Sequence, residues 1–240
     1  MGVAWISLYF VDRTAYLRFH PSDWKPRWQV WADMLKIGLP AGTEFALMGV
    51  YLAVVYSVSR PFGAASQAGF GIGLRILQSG FLPVVALGFA VAPVAGQNFA
   101  ARRPDRVREV FRSAVWMAVV AMFCFSVLVQ LEAATLVRTF SSDPTVIAVG
   151  ADYLRIVTLA SVASGVTFVS ASMFQAMGNT IPSLVTSLIR MAVVVIPTVL
   201  LSHRAGFDLH WIWYLTVASV TMQMALNLLL LQREFRVRMT

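Results

Sequence analysis

No charged residue interrupts the stretch SAVWMAVVAMFCFSVLVQL at residues 113–131. A helix needs roughly 20 apolar residues to cross the hydrocarbon core of a bilayer, and this stretch is close to that length. The whole chain is 58% hydrophobic and 12% charged, with a mean hydropathy of +0.73. A soluble domain carries about 25% charged residues, so this composition predicts an integral membrane protein.

Five further apolar runs accompany the first. Together the six predicted spans cover residues 37–59, 67–98, 113–131, 156–177, 182–202 and 211–232. We therefore expect an all-α membrane bundle of six helices, at residues 37–232. The segment 132–155 is too polar for a span, and its apolar side of Leu136, Val137 and Phe140 predicts a short surface helix.

Three segments flank or precede the bundle. Residues 1–11 are apolar but too short to cross, and they are typical of the tail of a helix whose beginning is missing. Residues 12–36 combine basic residues with tryptophans, which favours a cytoplasmic linker with an interfacial amphipathic helix over a plain loop. Residues 233–240 form a basic cytoplasmic tail.

The net charge of +8 does not indicate a nucleic-acid-binding protein, because the basic residues lie between apolar runs. They follow the positive-inside pattern of membrane proteins. One side of the membrane would collect Arg13, Arg18, Lys25, Arg27, Lys36, Arg102, Arg103, Arg106, Arg108, Arg112, Arg233, Arg236 and Arg238. The other would collect only Arg60, Arg138, Arg155 and Arg204. Both ends of the six-helix block are therefore expected in the cytoplasm.

The sequence contains no pattern typical of an enzyme. Cys124 is the only cysteine, which excludes a disulfide within the chain and a CxxC metal site. His20, His203 and His210 have no nucleophile at a meaningful spacing, and no glycine-rich phosphate loop is present. We expect no cofactor and no resident metal, so any transport would be driven by an ion gradient or another subunit.

Glu44 is the only charge in the first predicted span, and Met48 and Tyr51 continue its helix face at i+4 and i+7. A charged group inside a membrane usually has a partner or a function. One interpretation is a carboxylate that binds a proton or sodium ion, with Met48 and Tyr51 lining a cavity above it. The other is a structural carboxylate paired with Lys36 or with a neighbouring helix.

Other polar and soft side chains fall within predicted spans. Arg75 and Gln78 share a face, and Arg75 lies where its side chain can reach the interface. Arg190 lies deeper, which favours pairing with a polar group on another helix. Met173 could contribute to a soft binding wall with its neighbours, although apolar residues at this spacing are usually core.

Several motifs resemble one family, the multidrug and toxic compound extrusion (MATE) transporters. LKIGLP at residues 35–40 resembles the opening of that family's seventh helix, and GLRI at 73–76 through APVAGQN at 92–98 resembles its eighth. QAMGNTIP at 175–182 is similar to the turn between its tenth and eleventh helices. The positions that match the family pattern are Pro40, Gly96, Gln97, Asn98, Gly178, Pro182, Arg190 and Pro197.

The resemblance implies one lobe of a two-lobe transporter that exports cationic or amphipathic, drug-like compounds in exchange for H⁺ or Na⁺. The expected partners are the lipid bilayer and an N-terminal six-helix lobe, and the expected location is a bacterial inner membrane. Two departures stand out: Ala100 replaces a glycine of the signature, and the match to the tenth helix at 156–177 contains no acid. The missing acid argues against sodium coupling through this bundle.

Two other hypotheses stay open at this stage. Two copies of the chain could form a complete transporter, or a related flippase for lipid-linked sugars. Alternatively, the chain could be a non-transporting membrane protein, either a regulatory subunit or a remnant.

Overall fold

A computed structural model describes residues 27–204 and 206–238, and every regular element in this part of the chain is helical. The helices are α1 (Trp28–Ser59), α2 (Ala64–Ala100), α3 (Pro104–Arg138), α4 (Pro144–Val157), α5 (Ser161–Ala176), α6 (Ile181–Ser202) and α7 (Leu209–Arg238). Six segments are long and apolar enough to cross a bilayer, with α4 and α5 together forming the fourth. The predicted all-α, six-span membrane bundle is confirmed.

The chain divides between Lys36 and Ile37 into two units. Of the first unit, only residues 27–36 are described; Trp28 begins α1 there, and its ring meets Trp31 edge-on at 5.1 Å. The predicted helix tail at 1–11 and most of the predicted linker lie outside the described residues. At the other end α7 continues to Arg238, so residues 233–238 of the predicted basic tail are helical.

Burial within the second unit is uneven. Nine of the sixteen residues of α5 are buried, whereas α1 buries only Tyr51, Val55 and Ser59. The core falls into two main clusters, one around Tyr153, Leu154 and Ile212 and another around Met122, Met173 and Phe174. The fourth span is therefore the centre of the bundle, and α1 is its most loosely packed helix.

A close crossing of α2 and α4 depends on Gly69 and Gly150. A Cβ atom on Gly69 would lie 2.8 Å from the carbonyl oxygen of Val146 and 3.0 Å from the amide nitrogen of Gly150. A Cβ atom on Gly150 would lie 3.1 Å from the carbonyl oxygen of Gly69. Small residues allow such backbone contact between helices in lipid, where the hydrophobic effect gives no drive for association.

The predicted surface helix within 132–155 is wrong. This segment contains the last turns of α3 and most of α4, and Val137, Tyr153 and Leu154 are buried in the core. Of its five charged groups, only Asp152 and Arg155 lie in the fourth span, where they are half-exposed and 4.0 Å apart. Their mutual pairing lowers the cost of placing this part of the segment in a span.

A single 3-10 turn, Thr158–Ala160, separates α4 from α5 in the middle of the fourth span. Such a break frees backbone carbonyls that lipid cannot satisfy. Side chains of α3 supply the missing hydrogen bonds. Gln130 Nε2 donates to the Arg155 carbonyl at 2.7 Å, and the Ser126 hydroxyl donates to the Thr158 carbonyl at 3.1 Å. The broken span is thus held by two polar side chains of its neighbour.

Replacement of Gly69 by alanine is expected to lower the stability of the bundle by about 1–3 kcal/mol, the usual cost of overpacking. The atoms that the new methyl group would meet belong to backbone, so they cannot rotate away. Thermal unfolding in detergent measures the change. Gly42→Ala is the matched control, because a Cβ atom there meets nothing within 4 Å. Equal melting temperatures for the two variants would contradict the close crossing.

Candidate functional site

Polar side chains of α1, α6 and α7 face one another along a seam through the second unit. The seam consists of Glu44 and Tyr51 of α1, Ser183, Thr186, Ser187 and Arg190 of α6, and Thr216, Gln223 and Asn227 of α7. Each of these residues lies within a segment that is apolar enough to cross a bilayer. Their concentration on facing helices makes the seam the candidate site of the protein.

One hydrogen bond joins α1 to α7 at the seam. The Tyr51 and Thr216 hydroxyl oxygens are 2.9 Å apart and both residues are buried. Thr216 gives its own proton to the Ile212 carbonyl at 2.8 Å, so Tyr51 is the donor to Thr216. This bond attaches the loosely packed α1 to the bundle.

Two further hydrogen bonds join α6 to α7. Gln223 Nε2 donates to the Ser187 hydroxyl oxygen at 2.9 Å, and the Thr186 hydroxyl lies 2.6 Å from Asn227 Oδ1. All four residues are buried. Bonds of this kind between transmembrane helices typically contribute about 0.6–2 kcal/mol each, so they fix the register of α6 against α7.

Glu44 and Arg190 carry the opposite charges of the seam. They lie close enough to interact electrostatically, as do Tyr51 and Arg190, yet Glu44 and Arg190 form no ion pair within 4.0 Å. Glu44 is half-buried, and in the described chain it has no hydrogen bond of proper geometry. Ser183 lies near its carboxylate without bonding to it. Both charges therefore remain available to a small ion or ligand.

A polar clasp closes the end of the bundle where α6 begins. Asn179 Nδ2 donates to Glu234 Oε1 at 2.8 Å, and Glu234 Oε2 lies 2.8 Å from Arg238 Nε. Arg238 in turn donates through Nη1 to the Met177 carbonyl at 3.1 Å. The clasp fixes the turn between α5 and α6 onto the last turns of α7.

The structure brings only some of the predicted site residues to the seam. Met48 is half-buried beside the seam and packs against the first core cluster. Arg75 and Gln78 lie on α2 with exposed side chains, and neither has a hydrogen bond or ion pair in the described ranges. Met173 is fully buried in the second core cluster, so it offers no surface to a ligand here, and packing accounts for its position.

The predicted signature residues mark helix ends and bends. Gly178 has φ of +70°, and the amides of Gly178 and Asn179 bond back to Gln175 and Phe174, which closes α5 with a Schellman motif. Pro182 lies in the first turn of α6. Pro197 lies inside α6, and Pro40 lies inside α1 rather than near its start, because α1 already begins at Trp28.

Gly96, Gln97 and Asn98 lie within the last two turns of α2. A Cβ atom on Gly96 would lie 3.4 Å from the Ala176 carbonyl, so glycine allows α2 and α5 to approach at their ends. Gln97 is exposed, and Asn98 donates to the Val94 carbonyl of its own helix at 2.8 Å.

The uncharged polar residues of the seam were missed at the level of sequence. Thr216, Gln223 and Asn227 follow one another at spacings of seven and four, which places them on one face of α7. A polar stripe of this kind within an apolar helix indicates a polar contact with a neighbouring helix. An interpretation based on charged residues alone does not detect it.

A cavity of about 600 Å³ opens between the last turns of α1 and the last turns of α6. It is lined by Val54, Ser57, Val58, Pro61, Phe62, Val199, Ser202, His203, Arg204, Gly206 and Phe207. The cavity lies beyond Tyr51 and Arg190 in the chain direction of both helices, at the opposite end from Glu44 and Ser183.

These features define an integral membrane protein of six spans with a charged, polar seam between its first, fifth and sixth spans. The family model MatE matches residues 40–201, so the chain belongs to the MatE family.

Relatives of known sequence agree with this assignment. The multidrug export protein MepA of Staphylococcus haemolyticus is 27% identical over 215 residues, which are 88% of this chain and 46% of MepA. The probable multidrug resistance protein YpnP of Bacillus subtilis is 31% identical over 182 residues, which are 75% of this chain and 41% of YpnP. The chain thus spans about half the length of these relatives.

Solved structures show the same fold. A MOP superfamily transporter from Pyrococcus furiosus superposes with a TM-score of 0.89 at 20% identity, over 99% of this chain and 54% of that one. A MATE family multidrug resistance transporter in an outward-facing conformation gives a TM-score of 0.89 at 21% identity, again over 99% and 54%.

Loss of the Tyr51 hydroxyl is expected to loosen α1. Tyr51→Phe removes one buried hydrogen bond and should lower the free energy of unfolding by about 0.5–1.5 kcal/mol. Unfolding by denaturant in mixed micelles measures the change. Tyr214→Phe is the control, because Tyr214 is 58% exposed. A Tyr51→Phe protein as stable as the control would show that the bond to Thr216 does not hold α1.

Proposed function

We propose that the chain is the C-terminal lobe of a secondary-active efflux antiporter, which exports cationic or amphipathic compounds in exchange for protons. The observation that carries the proposal is the unpaired, half-buried Glu44 in the seam of a MatE-family bundle. The similarity to proteins named for multidrug export and resistance supports the substrate class. A second six-helix lobe would complete the transporter, because the matched structures extend over about twice the length of this chain.

Competition at one carboxylate would couple the two fluxes. A cationic compound is attracted to an ionised Glu44, and a proton that binds the same carboxylate removes the charge that attracts it. Two ligands that exclude each other in this way lower each other's affinity by the same factor, which is the requirement for exchange.

Protons suit the seam better than sodium ions. A bare metal cation needs several oxygen ligands, and acidic side chains commonly supply them. Within residues 27–204 and 206–238 there is no group of three or more histidine, cysteine or acidic side chains that could hold a metal ion. A proton needs only the one carboxylate.

Both ends of the six-helix block are proposed to face the cytoplasm of a bacterial inner membrane, because the basic residues concentrate on that side. In a Cys124→Ser background, Arg60→Cys should react with a membrane-impermeant maleimide added outside spheroplasts. Arg103→Cys should react only after lysis. The reverse pattern would overturn the orientation.

Glu44→Gln is expected to reduce proton-driven export of ethidium at least tenfold. Everted vesicles from the native host, with the variant in place of the chromosomal copy, keep any partner lobe present. Glu109→Gln is the matched control, since Glu109 is 68% exposed and lies 4.0 Å from Arg106. Undiminished export by Glu44→Gln would contradict the coupling role, and export driven by a sodium gradient alone would contradict the choice of ion.

A further inference from the structure

Three buried polar groups along the seam have no hydrogen-bond partner in the described structure. They are the Nε atom of Arg190, the hydroxyl of Ser183 and one edge of the Asn227 side-chain amide. Ser183 and Asn227 are 2% and 0% exposed, so bulk water does not reach them in this conformation. Buried polar groups in native proteins are nearly always bonded, and an exception calls for an explanation.

The arginine is the most informative of the three. A serine or threonine hydroxyl in a helix can turn to a carbonyl of its own backbone, and several in this bundle do so. A guanidinium is planar, always charged and unable to satisfy itself in this way. Arg190 therefore needs an external acceptor, and in the part of the chain that is described it makes no hydrogen bond and no ion pair.

Asn227 can adapt to whatever binds beside it. Thr186 has a single hydroxyl proton, which it can give to Asn227 Oδ1 at 2.6 Å or to the Ser183 carbonyl at 2.9 Å. In the second case the amide can flip, so that Asn227 Nδ2 donates to the Thr186 hydroxyl oxygen. The free edge of Asn227 is then an acceptor in one state and a donor in the other.

Glu44 does not supply the missing acceptor. The two charges remain beyond ion-pair distance, although α1 is the most loosely packed helix of the second unit. An arginine fork matches the two oxygens of a carboxylate or of a similar planar acid, which a water molecule satisfies only in part. The cavity between the last turns of α1 and α6 lies further along the same two helices.

We infer that Arg190 is the centre of an anion subsite in the seam, where it binds the acidic group of a transported amphipath with help from Ser183 and Asn227. The inference rests on the proposed function, which it deepens: Glu44 attracts a cationic group or a proton, and Arg190 selects compounds that also carry an acid. The subsite sets specificity and takes no part in the coupling itself.

A pair of dyes that differ only in the acid tests the subsite. Rhodamine B carries a free carboxyl group, and its ethyl ester is the same cationic dye without that acid. Equilibrium binding of each dye is measured by fluorescence anisotropy on the whole chain in nanodiscs, with no ion gradient. The variants are Arg190→Gln, the conservative Arg190→Lys, and Arg75→Gln as a matched control that removes an exposed arginine of α2.

Arg190→Gln is expected to weaken binding of the free acid at least tenfold and binding of the ester less than twofold. Arg190→Lys should recover part of the difference, and Arg75→Gln should change neither dye. Ester binding reports that the variant is folded. Equal losses for both dyes, no loss for either, or no binding of the free acid by the unaltered chain would each overturn the subsite.

The dye-binding experiment on Arg190 and the export experiment on Glu44 can fail independently. An acid-selective loss at Arg190 together with normal export by Glu44→Gln would leave the subsite in place and remove the coupling role. Loss of export by Glu44→Gln without an acid-selective loss at Arg190 would support the coupling role and remove the subsite.

Discussion

Polar groups within the six spans must find their partners inside the protein, because the hydrocarbon of a bilayer offers none. The bundle meets this constraint in most places. Gln130 and Ser126 bond the carbonyls that the 3-10 turn of the fourth span releases, and Asn179, Glu234 and Arg238 close the turn before α6. At these two turns the polar groups are bonded within the protein, and neither turn is part of the candidate site.

Along the seam the constraint is only partly met. Hydrogen bonds from Tyr51 to Thr216 and from Gln223 to Ser187 hold its three helices together. Between these bonds, Glu44 and Arg190 remain unpaired although both lie in membrane spans. Unpaired charges at such positions are costly and usually functional. The loose packing of α1, which buries only three residues, leaves one wall of the seam free to move.

The position of the seam follows from how burial is distributed. The fourth span fills the centre of the bundle, and the glycines at the α2–α4 crossing leave no room there for a ligand. Helices α1 and α6 pack on the outside of this block, and their polar side chains form the seam with those of α7. The same block buries Met173, which explains why a methionine at a plausible helical position is part of the core and not of the site.

Sequence patterns predicted the fold well and the site in part. Six apolar runs were enough for the six spans, because length and hydropathy alone decide whether a helix can cross. Charge was less reliable: five charged residues at 132–155 made the start of the fourth span look like a surface segment. Two of them, Asp152 and Arg155, pair within α4, and a hydropathy pattern does not show such a pair. Glu44 and Tyr51 were found from their helical spacing. Ser183, Gln223 and Asn227 were not, because their significance comes from helices far apart in the chain.

The central claim is that the α1 side of the seam, around Glu44, is accessible to ligands from water while the core is closed. Three methionines test it directly in a Cys124→Ser background: Met48 beside the seam, Met173 in the core at 0% exposure, and Met117 on the outer face of α3 at 59% exposure. Each is replaced by cysteine, and the rate of reaction with a charged methanethiosulfonate is measured in nanodiscs. The account predicts rapid reaction at Met48→Cys and slow reaction at the other two, because a charged reagent enters neither a packed core nor lipid. Reaction at Met48→Cys that is no faster than at Met117→Cys would contradict access from water beside Glu44 and, with it, the site.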